Sequence, residues 1–364
     1  MRNNTRHYNI PIFIPHLGCP FHCIFCDQKK ISSQKRVPDR DEIAALIEEY
    51  LSTIPTGAEV EIAFFGGNFT SIPPLQQRSY LEAVSPYLKS GRVTGIRIST
   101  RPDCIDTDIL MLLRQGGVQT IELGVQSLSD RVLKASARGY KAEDVFKASR
   151  LIKEHRFTLG IQLMIGLPED SFDQDMQTVD SALSLKPDMV RIYPTLVISG
   201  TSLETMYRQG DYHPLGLPES IDTAMHMLLK FQGQDIEVIR MGLHPGEDLR
   251  SPGTIVAGPF HPSFGELVEQ EIFKKQTEML AQKFLHLLPD ETIWLYVDPR
   301  DVSKLVGNRR TNIEHFKQVW GCPKICLKPV AGQERDWVGI SGDRKPYPEL
   351  ILTRKDFISK FVKD

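Results

Sequence analysis

Short β-rich runs alternate with longer helical patterns through the first part of the chain, and this alternation restricts the fold more than any other feature. The runs occupy residues 8–14, 59–66, 95–100, 120–126, 158–168 and 189–197. Segments with helical periodicity, such as residues 40–51 and 142–153, lie between them. Strands spaced by helices form βαβ units with a parallel sheet. Six such strands predict an α/β fold with a partial (β/α)6 barrel rather than a closed barrel of eight strands.

Three cysteines follow the first predicted strand, and a Gly-Gly turn follows the second. In parallel barrels the chemistry collects at the carboxyl ends of the strands, so both segments are expected at the same end. Cys19, Cys23 and Cys26 have CxxxCxxC spacing, and no fourth cysteine lies nearby. Iron–sulfur clusters are normally held by four thiolates. Three thiolates on one loop therefore predict a cubane cluster whose fourth iron lacks a protein ligand.

Two other interpretations of the cysteines stay open. A structural zinc site needs four ligands, and His16 or His22 could complete one here. Disulfides suit small secreted chains, but six cysteines in 364 residues, with three of them inside eight positions, do not form a disulfide framework. The cluster is the interpretation that the spacing favours.

Composition narrows the class of protein. Apolar residues make up 41% of the chain and charged residues 25%, which is ordinary for a globular protein. The net charge of −2 argues against a globally basic nucleic-acid coat but leaves room for local basic patches. The sequence has no apolar run of about eighteen residues and no apolar signal core at its start. We therefore expect a cytoplasmic protein without a membrane segment.

The pattern changes in the second part of the chain. Residues 217–231 and 265–284 predict helices, and the segment 238–270 is rich in Gly, Pro and His. The last eighty residues read as strand, two short helices and strand around 292–330. These changes predict three domains: a partial barrel at 1–235, an extension at 236–285 that closes the barrel, and a small α+β domain with a tail at 286–364.

The cysteine loop, the segment Gly66–Ser71 and the segment Gly124–Ser127 together resemble the radical S-adenosylmethionine (SAM) superfamily. The resemblance implies a [4Fe-4S] cluster on the catalytic cysteines Cys19, Cys23 and Cys26, with the amino and carboxylate groups of SAM on the fourth iron. It also implies SAM contacts from Phe25, Gly66, Gly67, Asn68, Ser99, Arg101, Glu122, Gln126, Ser127, Ile165 and Gly166.

The assignment is less direct at two of these positions, Asn68 and Glu122. Many members have an acidic residue or Thr at the position of Asn68, although an amide oxygen also accepts a hydrogen bond from an ammonium group. Glu122 has an alternative role as a structural partner of Arg101 inside the barrel.

Four further segments resemble the Elongator catalytic-subunit branch of this superfamily. They are Ser99–Asp103, Glu122–Ser127, Arg138–Tyr140 and Arg191–Thr201, and the likeness extends from about residue 8 to about residue 270. That family modifies the wobble uridine of tRNA with acetyl-CoA supplied by an acetyltransferase domain. The C-terminal unit here is too small for such a domain, so we expect a short form without it. The resemblance implies RNA, with tRNA foremost, and a flavodoxin or ferredoxin as partners.

Candidate substrate residues lie outside these motifs. Arg240, His244 and His261 are hypothesised to face the substrate from loops after the sixth strand; loop packing is the alternative. Around Gly307, the order strand–helix–loop–helix–strand resembles the KH RNA-binding module, with Arg310 where a second glycine is expected and Arg309 beside it. Seven basic and two acidic residues between 300 and 328 favour an RNA contact, and a small domain with a solvated basic face is the alternative.

The remaining cysteines, Cys104, Cys322 and Cys326, could hold an auxiliary cluster, but buried cysteines commonly act as small apolar residues. The family resemblance thus implies an enzyme that cleaves SAM reductively and directs the 5′-deoxyadenosyl radical to an RNA base, with tRNA foremost. A radical SAM enzyme acting on a small metabolite, as the coproporphyrinogen dehydrogenases do, is one alternative. A non-catalytic iron–sulfur protein that binds RNA is the other.

Overall fold

The computed structural model describes residues 6–14, 19, 23–33, 36–243, 246–284, 292–322, 324–331 and 334–361. Within them the chain forms two compact units. Unit 1 comprises residues 1–216 and 236–260, and unit 2 comprises residues 217–235 and 261–364. Strands and helices are numbered here along the whole chain. The predicted division at residues 235 and 285 stays a prediction; the compact units divide the chain after residues 216, 235 and 260.

Unit 1 is built on a sheet of seven parallel strands in the order β1-β2-β3-β4-β5-β6-β8, and a two-stranded antiparallel ribbon, β7-β9, lies beside it in the same unit. The strands are β1 (His7–Phe13), β2 (Glu59–Phe65), β3 (Gly95–Thr100), β4 (Val118–Gln126), β5 (Thr158–Ile165), β6 (Met189–Pro194), β7 (Val197–Ile198), β8 (Glu237–Met241) and β9 (Ile255–Ala257).

Helices separate the strands of unit 1. They are α1 (Gln28–Ser32), α2 (Arg40–Thr53), α3 (Pro74–Lys89), α4 (Thr107–Gln115), α5 (Asp130–Ala135), α6 (Ala142–Glu154), α7 (Phe172–Ser184), α8 (Ser202–Gln209) and α10 (Glu247–Arg250). The predicted partial barrel of alternating strands and helices is confirmed. Its sheet carries β8 as a seventh parallel strand beyond the six that were predicted.

The two faces of this sheet differ in polarity because side chains alternate along each strand. One face carries Glu61, Arg97, Glu122 and Arg191, which contact one another inside the barrel. The residues between them are apolar and buried against the helices, among them Ile62, Ile96, Ile98, Ile121, Leu123, Val190 and Ile192. The apolar face therefore packs against helices, and the polar face lines the barrel, where a reaction site is expected.

Unit 2 combines a four-stranded sheet with five helices. The helices are α9 (Leu217–Gln232), α11 (Phe264–Gln282), α12 (Val302–Val306), α13 (Thr311–Trp320) and α14 (Arg354–Phe361). The strands are β10 (Thr292–Val297), β11 (Lys324–Pro329), β12 (Trp337–Ser341) and β13 (Leu350–Thr353), in the order β11-β10-β12-β13. Strands β10 and β11 are parallel and the other pairs antiparallel, which agrees with the predicted small α+β domain.

Across the described part of the chain, no helix combines the length and the apolar character that crossing a membrane would need. The cytoplasmic location stays a prediction.

Candidate active site at the mouth of the barrel

A cavity of about 110 Å³ lies at the carboxyl ends of the barrel strands, between strand ends and the cysteine loop. The ends of β3, β4 and β5 contribute to its wall, and the loop after β1 supplies the opposite side. The cavity is lined by Cys19, Cys23, Phe25, Cys26, Gln28, Gly67, Ser99, Thr100, Arg101, Gly124, Gln126, Arg138 and Gln162. The fold thus brings residues from six separate segments of the sequence to one site.

The three predicted cluster cysteines all face this cavity. The side-chain amide of Gln28 donates to the sulfur of Cys26 at 3.4 Å. Burial, together with the neighbouring Cys23, raises the pKa of the Cys26 thiol to about 12. Burial also raises the pKa of the Cys19 thiol, while the charges of Arg101 and Arg138 oppose that rise. Such thiols become thiolates when iron supplies compensating positive charge, so this donor set fits an iron–sulfur cluster.

Arg138 is the buried cation that contacts the cysteine loop. Its guanidinium donates to the sulfur of Cys23 at 3.0 Å, to the hydroxyl of Tyr140 at 2.8 and 3.0 Å, and to the carbonyl oxygen of Gly124. The Tyr140 hydroxyl in turn donates to the carbonyl oxygens of Gly124 and Val125. These contacts join the turn after α5 to the end of β4 and fix a positive charge beside the thiols.

Arg101 supplies a second guanidinium to the same wall. It forms a bidentate pair with Asp103, with both N–O distances 2.9 Å, and lies 3.9 Å from the sulfur of Cys23. It also donates to the carbonyl oxygen of Arg138 and lies over the ring of Tyr140. Two cations next to three thiols make the cavity electropositive, which suits an anionic ligand group.

The residues at the Gly-Gly turn after β2 differ in whether they face the cavity. Gly66 has φ +91°, a left-handed conformation that favours glycine, and Gly67 lies on the cavity wall. Asn68 is fully buried, and its amide oxygen accepts from the Thr100 hydroxyl at 2.6 Å. Its amide nitrogen donates to the hydroxyl of Ser71 and the sulfur of Cys104. Asn68 therefore connects the loops after β2 and β3 away from the cavity wall, and its predicted SAM contact stays a prediction.

Glu122 lies inside the barrel, one layer below the cavity. Its carboxylate accepts from Arg97 at 2.8 Å and from Arg191 at 2.7 and 3.0 Å. Gln162, which lines the cavity, donates to the same carboxylate at 3.0 Å. The alternative partner proposed for Glu122 is wrong: Arg101 pairs with Asp103, whereas Glu122 pairs with Arg97 and Arg191. Its predicted SAM contact is untested.

The other predicted SAM contacts divide between the cavity wall and the protein interior. Phe25, Ser99 and Gln126 line the cavity. Gln126 has φ +66°, and a non-glycine residue held in the left-handed region is characteristic of functional sites. Ser127 is buried with its hydroxyl 3.3 Å from that of Thr178. Ile165 is buried, and Gly166, with φ +73°, packs against Leu215; neither lines the cavity.

Among the described residues, no histidine lines this cavity, and neither do Cys104, Cys322 and Cys326. His244, His16 and His22 lie outside the described residues, so the hypotheses that involve them are untested. His261 belongs to unit 2, where its Nδ1 accepts the backbone N–H of Ser263 at 3.1 Å. In the described ranges, no three His, Cys, Asp or Glu side chains are grouped closely enough to hold a single metal ion. In a cluster, Cys19, Cys23 and Cys26 would each bind a different iron. The auxiliary cluster stays an untested alternative.

The loop between α12 and α13 in unit 2 holds the predicted RNA contacts. Gly307 has φ +77°, and a Cβ atom there would lie 2.7 Å from the Thr311 hydroxyl, so the position requires glycine. Arg309 and Arg310 have φ +50° and +67°, and both side chains are exposed. Arg310 thus adopts the left-handed conformation that a glycine would favour there. Neither arginine has an ion pair with a described residue.

Sequence reasoning missed Arg138, Tyr140, Gln28 and Gln162 as site residues. Arg138 and Tyr140 stand in a segment noted only as a family likeness, twelve or more residues beyond Gln126. The signal that could have indicated Arg138 was a cationic residue inside a segment that resembles the family. Its partner could not be read from spacing, because tertiary folding brings Arg138 next to Cys23.

Comparisons with known proteins identify two family models that match the chain. The model of the Radical SAM superfamily matches residues 13–182, and that of the Radical_SAM C-terminal domain matches residues 187–274. The tRNA uridine(34) acetyltransferase of Methanocaldococcus infernus is 37% identical over 135 residues, which is 36% of this chain and 25% of that protein. The heme chaperone HemW of Bacillus subtilis is 28% identical over 200 residues, covering 54% of this chain and 52% of that one.

The structure of the archaeal Methanocaldococcus infernus Elp3 with an N-terminal deletion matches with a TM-score of 0.58 at 23% identity. The match covers 74% of this chain and 63% of that one, and it shows a common fold. The chain spans a quarter of the length of the first of these curated relatives and about half of the second.

Proposed function

The chain belongs to the radical SAM superfamily of enzymes, and we propose that it cleaves SAM reductively to modify a base of RNA, with tRNA as the substrate. The observation that carries the proposal is the cavity at the barrel mouth. It brings the three thiols of the CxxxCxxC loop together with two guanidinium groups and the polar ends of three parallel strands.

The donor set of the cavity suits the two cofactors that the family implies. Cys19, Cys23 and Cys26 would hold a [4Fe-4S] cluster, which, when bound and reduced, supplies the electron that cleaves SAM into methionine and a 5′-deoxyadenosyl radical. Arg101 and Arg138 would attract the carboxylate of SAM through their positive charge. Ser99 and Gln126 offer neutral donors and acceptors suited to a ribose, and Gly67 allows a ligand to approach the backbone.

An RNA substrate is supported by two independent observations. The chain resembles the Elongator branch, and a relative with 37% identity over 135 residues is a tRNA-modifying enzyme. In unit 2, the exposed Arg309 and Arg310 stand on a glycine-containing loop between two helices, which suits contact with a phosphate backbone. The acetyl transfer performed by that relative is not part of the proposal, because the match covers a quarter of its length.

A small metabolite is the second candidate substrate. It is supported by the similarity to the heme chaperone HemW, which covers 54% of this chain. A tetrapyrrole ligand would have a visible absorption band in the purified protein. Arg309 and Arg310 would then be expected to contribute nothing to activity.

The decisive experiment measures 5′-deoxyadenosine formed by the anaerobically reconstituted protein with SAM and a reductant, with and without total tRNA. Dithionite serves as the first reductant, and a flavodoxin or ferredoxin replaces it in a second series. Cys23→Ala should abolish the product. Cys326→Ser, a change in strand β11 of unit 2, is the matched control and should retain it.

The outcomes separate the alternatives. Strong stimulation of the wild type by tRNA supports the proposal and justifies mapping the modified base. Formation that is indifferent to tRNA overturns the RNA substrate and redirects the search to small molecules. No product from protein with an intact cluster overturns the enzymatic proposal and leaves an iron–sulfur RNA-binding protein.

A further inference from the structure

Strand β8 presents Arg240 to the inside of the barrel. It lies beside β6, where Arg191 and Arg240 are register partners, and a register shift between Val190 and Arg191 precedes this pair. Such an irregularity re-aims a side chain, and it is common next to active sites. Register partners in a parallel sheet share a face, and Arg191 contacts Glu122 inside the barrel. Arg240 is therefore placed on the inner face, next to another guanidinium.

The positive charges of Arg191 and Arg240 are not balanced by an equal number of free carboxylates nearby. Glu61 pairs with His7 and Arg97, and Glu122 pairs with Arg97 and Arg191. Glu61 and Glu122, the buried carboxylates of the inner face, are thus already in use, and Glu237, the register partner of Met189, is exposed. Arg240 makes one recorded hydrogen bond, from its Nε to the carbonyl oxygen of Gly242 at 3.2 Å, and no described carboxylate pairs with it.

This arrangement costs folding free energy. Arg240 is half-buried, and burial together with the like charge of Arg191 lowers the pKa of its guanidinium. Buried cations are normally paired, because an uncompensated charge in a poorly hydrated site is destabilising. The Tyr193 hydroxyl, two residues beyond Arg191 on the same face of β6, adds a neutral hydrogen-bonding group beside both cations.

We propose that Arg240, with Arg191 and Tyr193, forms an anion site inside the barrel that binds a phosphate or carboxylate oxyanion of the substrate. Guanidinium groups present planar pairs of N–H donors that match both oxyanions. Because Gln162 contacts both Glu122 and the cavity, the anion site and the thiol cavity share one connected set of side chains. The inference deepens the proposed function, since it places a charged group of the substrate near the radical source.

The test uses the unfolding temperature of the whole protein without cofactors, titrated with inorganic phosphate, acetate or chloride at equal ionic strength. The variants are Arg240→Gln and Arg240→Lys. Arg150→Gln is the matched control, because Arg150 is exposed on α6 and makes no recorded ion pair. Occupancy of the site should raise the melting temperature of the wild type and of Arg150→Gln by about 2–4 °C at saturating anion.

Arg240→Gln should lose this rise, and Arg240→Lys should keep part of it. In chloride, Arg240→Gln should melt at or above the wild-type temperature, because the variant lacks the uncompensated charge; a purely structural arginine would give a lower temperature. The proposal is overturned if phosphate and acetate stabilise no better than chloride, or if Arg240→Gln responds like the wild type.

The anion that raises the melting temperature indicates which kind of substrate the site binds. A response to phosphate, with weaker tRNA retention by Arg240→Gln, assigns the site to an RNA phosphate. A response to acetate, with unchanged tRNA retention, assigns it to the carboxylate of a small substrate. Because the readout needs neither cluster nor SAM, an intact anion response without tRNA-stimulated deoxyadenosine would overturn the RNA proposal and leave this site standing.

Discussion

At the scale of single residues, Arg138 connects the cysteine loop to the end of β4. Its guanidinium satisfies the Gly124 carbonyl and the Tyr140 hydroxyl and donates to the sulfur of Cys23. Arg138→Gln should therefore lower the free energy of unfolding by about 2–4 kcal/mol, because buried partners lose their hydrogen bonds. Urea denaturation measures this loss, and iron content after reconstitution should fall in parallel.

The control for Arg138 is again Arg150→Gln, which should change stability by less than about 0.5 kcal/mol because the side chain is exposed. Equal stability together with equal iron content in Arg138→Gln and the wild type would contradict the role given to Arg138. Normal stability with reduced iron would restrict that role to the cysteine loop.

Glu61 makes stability depend on pH in the acid range. Burial would raise the pKa of its carboxyl, but the hydrogen bond from His7 and the charge of Arg97 prevail and lower the pKa to about 2. Because this pKa is lower in the folded protein than in the unfolded chain, the ionised carboxylate stabilises the fold at pH values above about 4.5, the pKa of the unfolded chain. This contribution, on the order of 3 kcal/mol, should decline as pH falls from about 4.5 to 2.

Urea denaturation between those pH limits checks this, with Glu61→Gln as the comparison. The variant should be less stable than the wild type at neutral pH and should lose less stability on acidification. If both proteins lose the same amount, the Glu61–Arg97 pair does not carry the effect, and Glu122, whose pKa is also lowered by Arg191 and Arg97 against the effect of burial, becomes the candidate.

The cysteine loop could be located from the spacing of its cysteines, and the glycine turn from the backbone conformations that favour glycine. The direction in which a side chain forms its hydrogen bonds cannot be read from the sequence in this way. Asn68 follows a cavity-lining glycine, yet its amide turns inward to Thr100 and Cys104. Which way an amide points depends on donors from other strands, and no local pattern shows them.

At the scale of elements, the loop between α12 and α13 combines strain with charge. Arg309 and Arg310 both occupy the left-handed region, which costs a non-glycine residue about 1–2 kcal/mol. Replacing both by glycine should therefore leave the melting temperature unchanged or raise it, while removing two exposed cations. If the loop binds RNA, the same variant should lose tRNA retention on filters.

Gly307→Ala provides the opposite control in the same loop. Its Cβ would lie within 3 Å of Thr311 and Asn312 at a positive φ, so it should destabilise by about 1–3 kcal/mol without changing charge. Undiminished tRNA retention by the double-glycine variant would refute the RNA role of the loop.

Elements with strong periodicity were predictable and short ones were not. Strand 95–100 has the bounds that the sequence indicated, and the helical segment predicted at 142–153 ends one residue later, at Glu154. Strand β8 was missed because five residues in a Gly-, Pro- and His-rich stretch form a strand only through pairing with β6. Pairing across a long sequence separation leaves no local pattern.

At the scale of the whole molecule, the net charge of −2 means that any RNA affinity must come from local patches. We expect the logarithm of the tRNA binding constant to fall linearly with the logarithm of salt concentration. Replacing Arg309 and Arg310 by glycine should reduce the magnitude of that slope by about 1–2. Filter binding over a salt series measures it. An unchanged slope would mean that neither arginine neutralises a phosphate.

The two compact units are interleaved in the sequence, since the chain passes between them at residues 216, 235 and 260. During synthesis, α9 leaves the ribosome before α11, the helix against which it packs in unit 2. At about 5–20 residues per second, the intervening segment takes several seconds to appear. Met225, Leu228 and Phe231, which are buried in the finished protein, are without that cover for this time. Because each unit is made of two separate stretches of sequence, neither unit could be moved into another protein as one continuous segment.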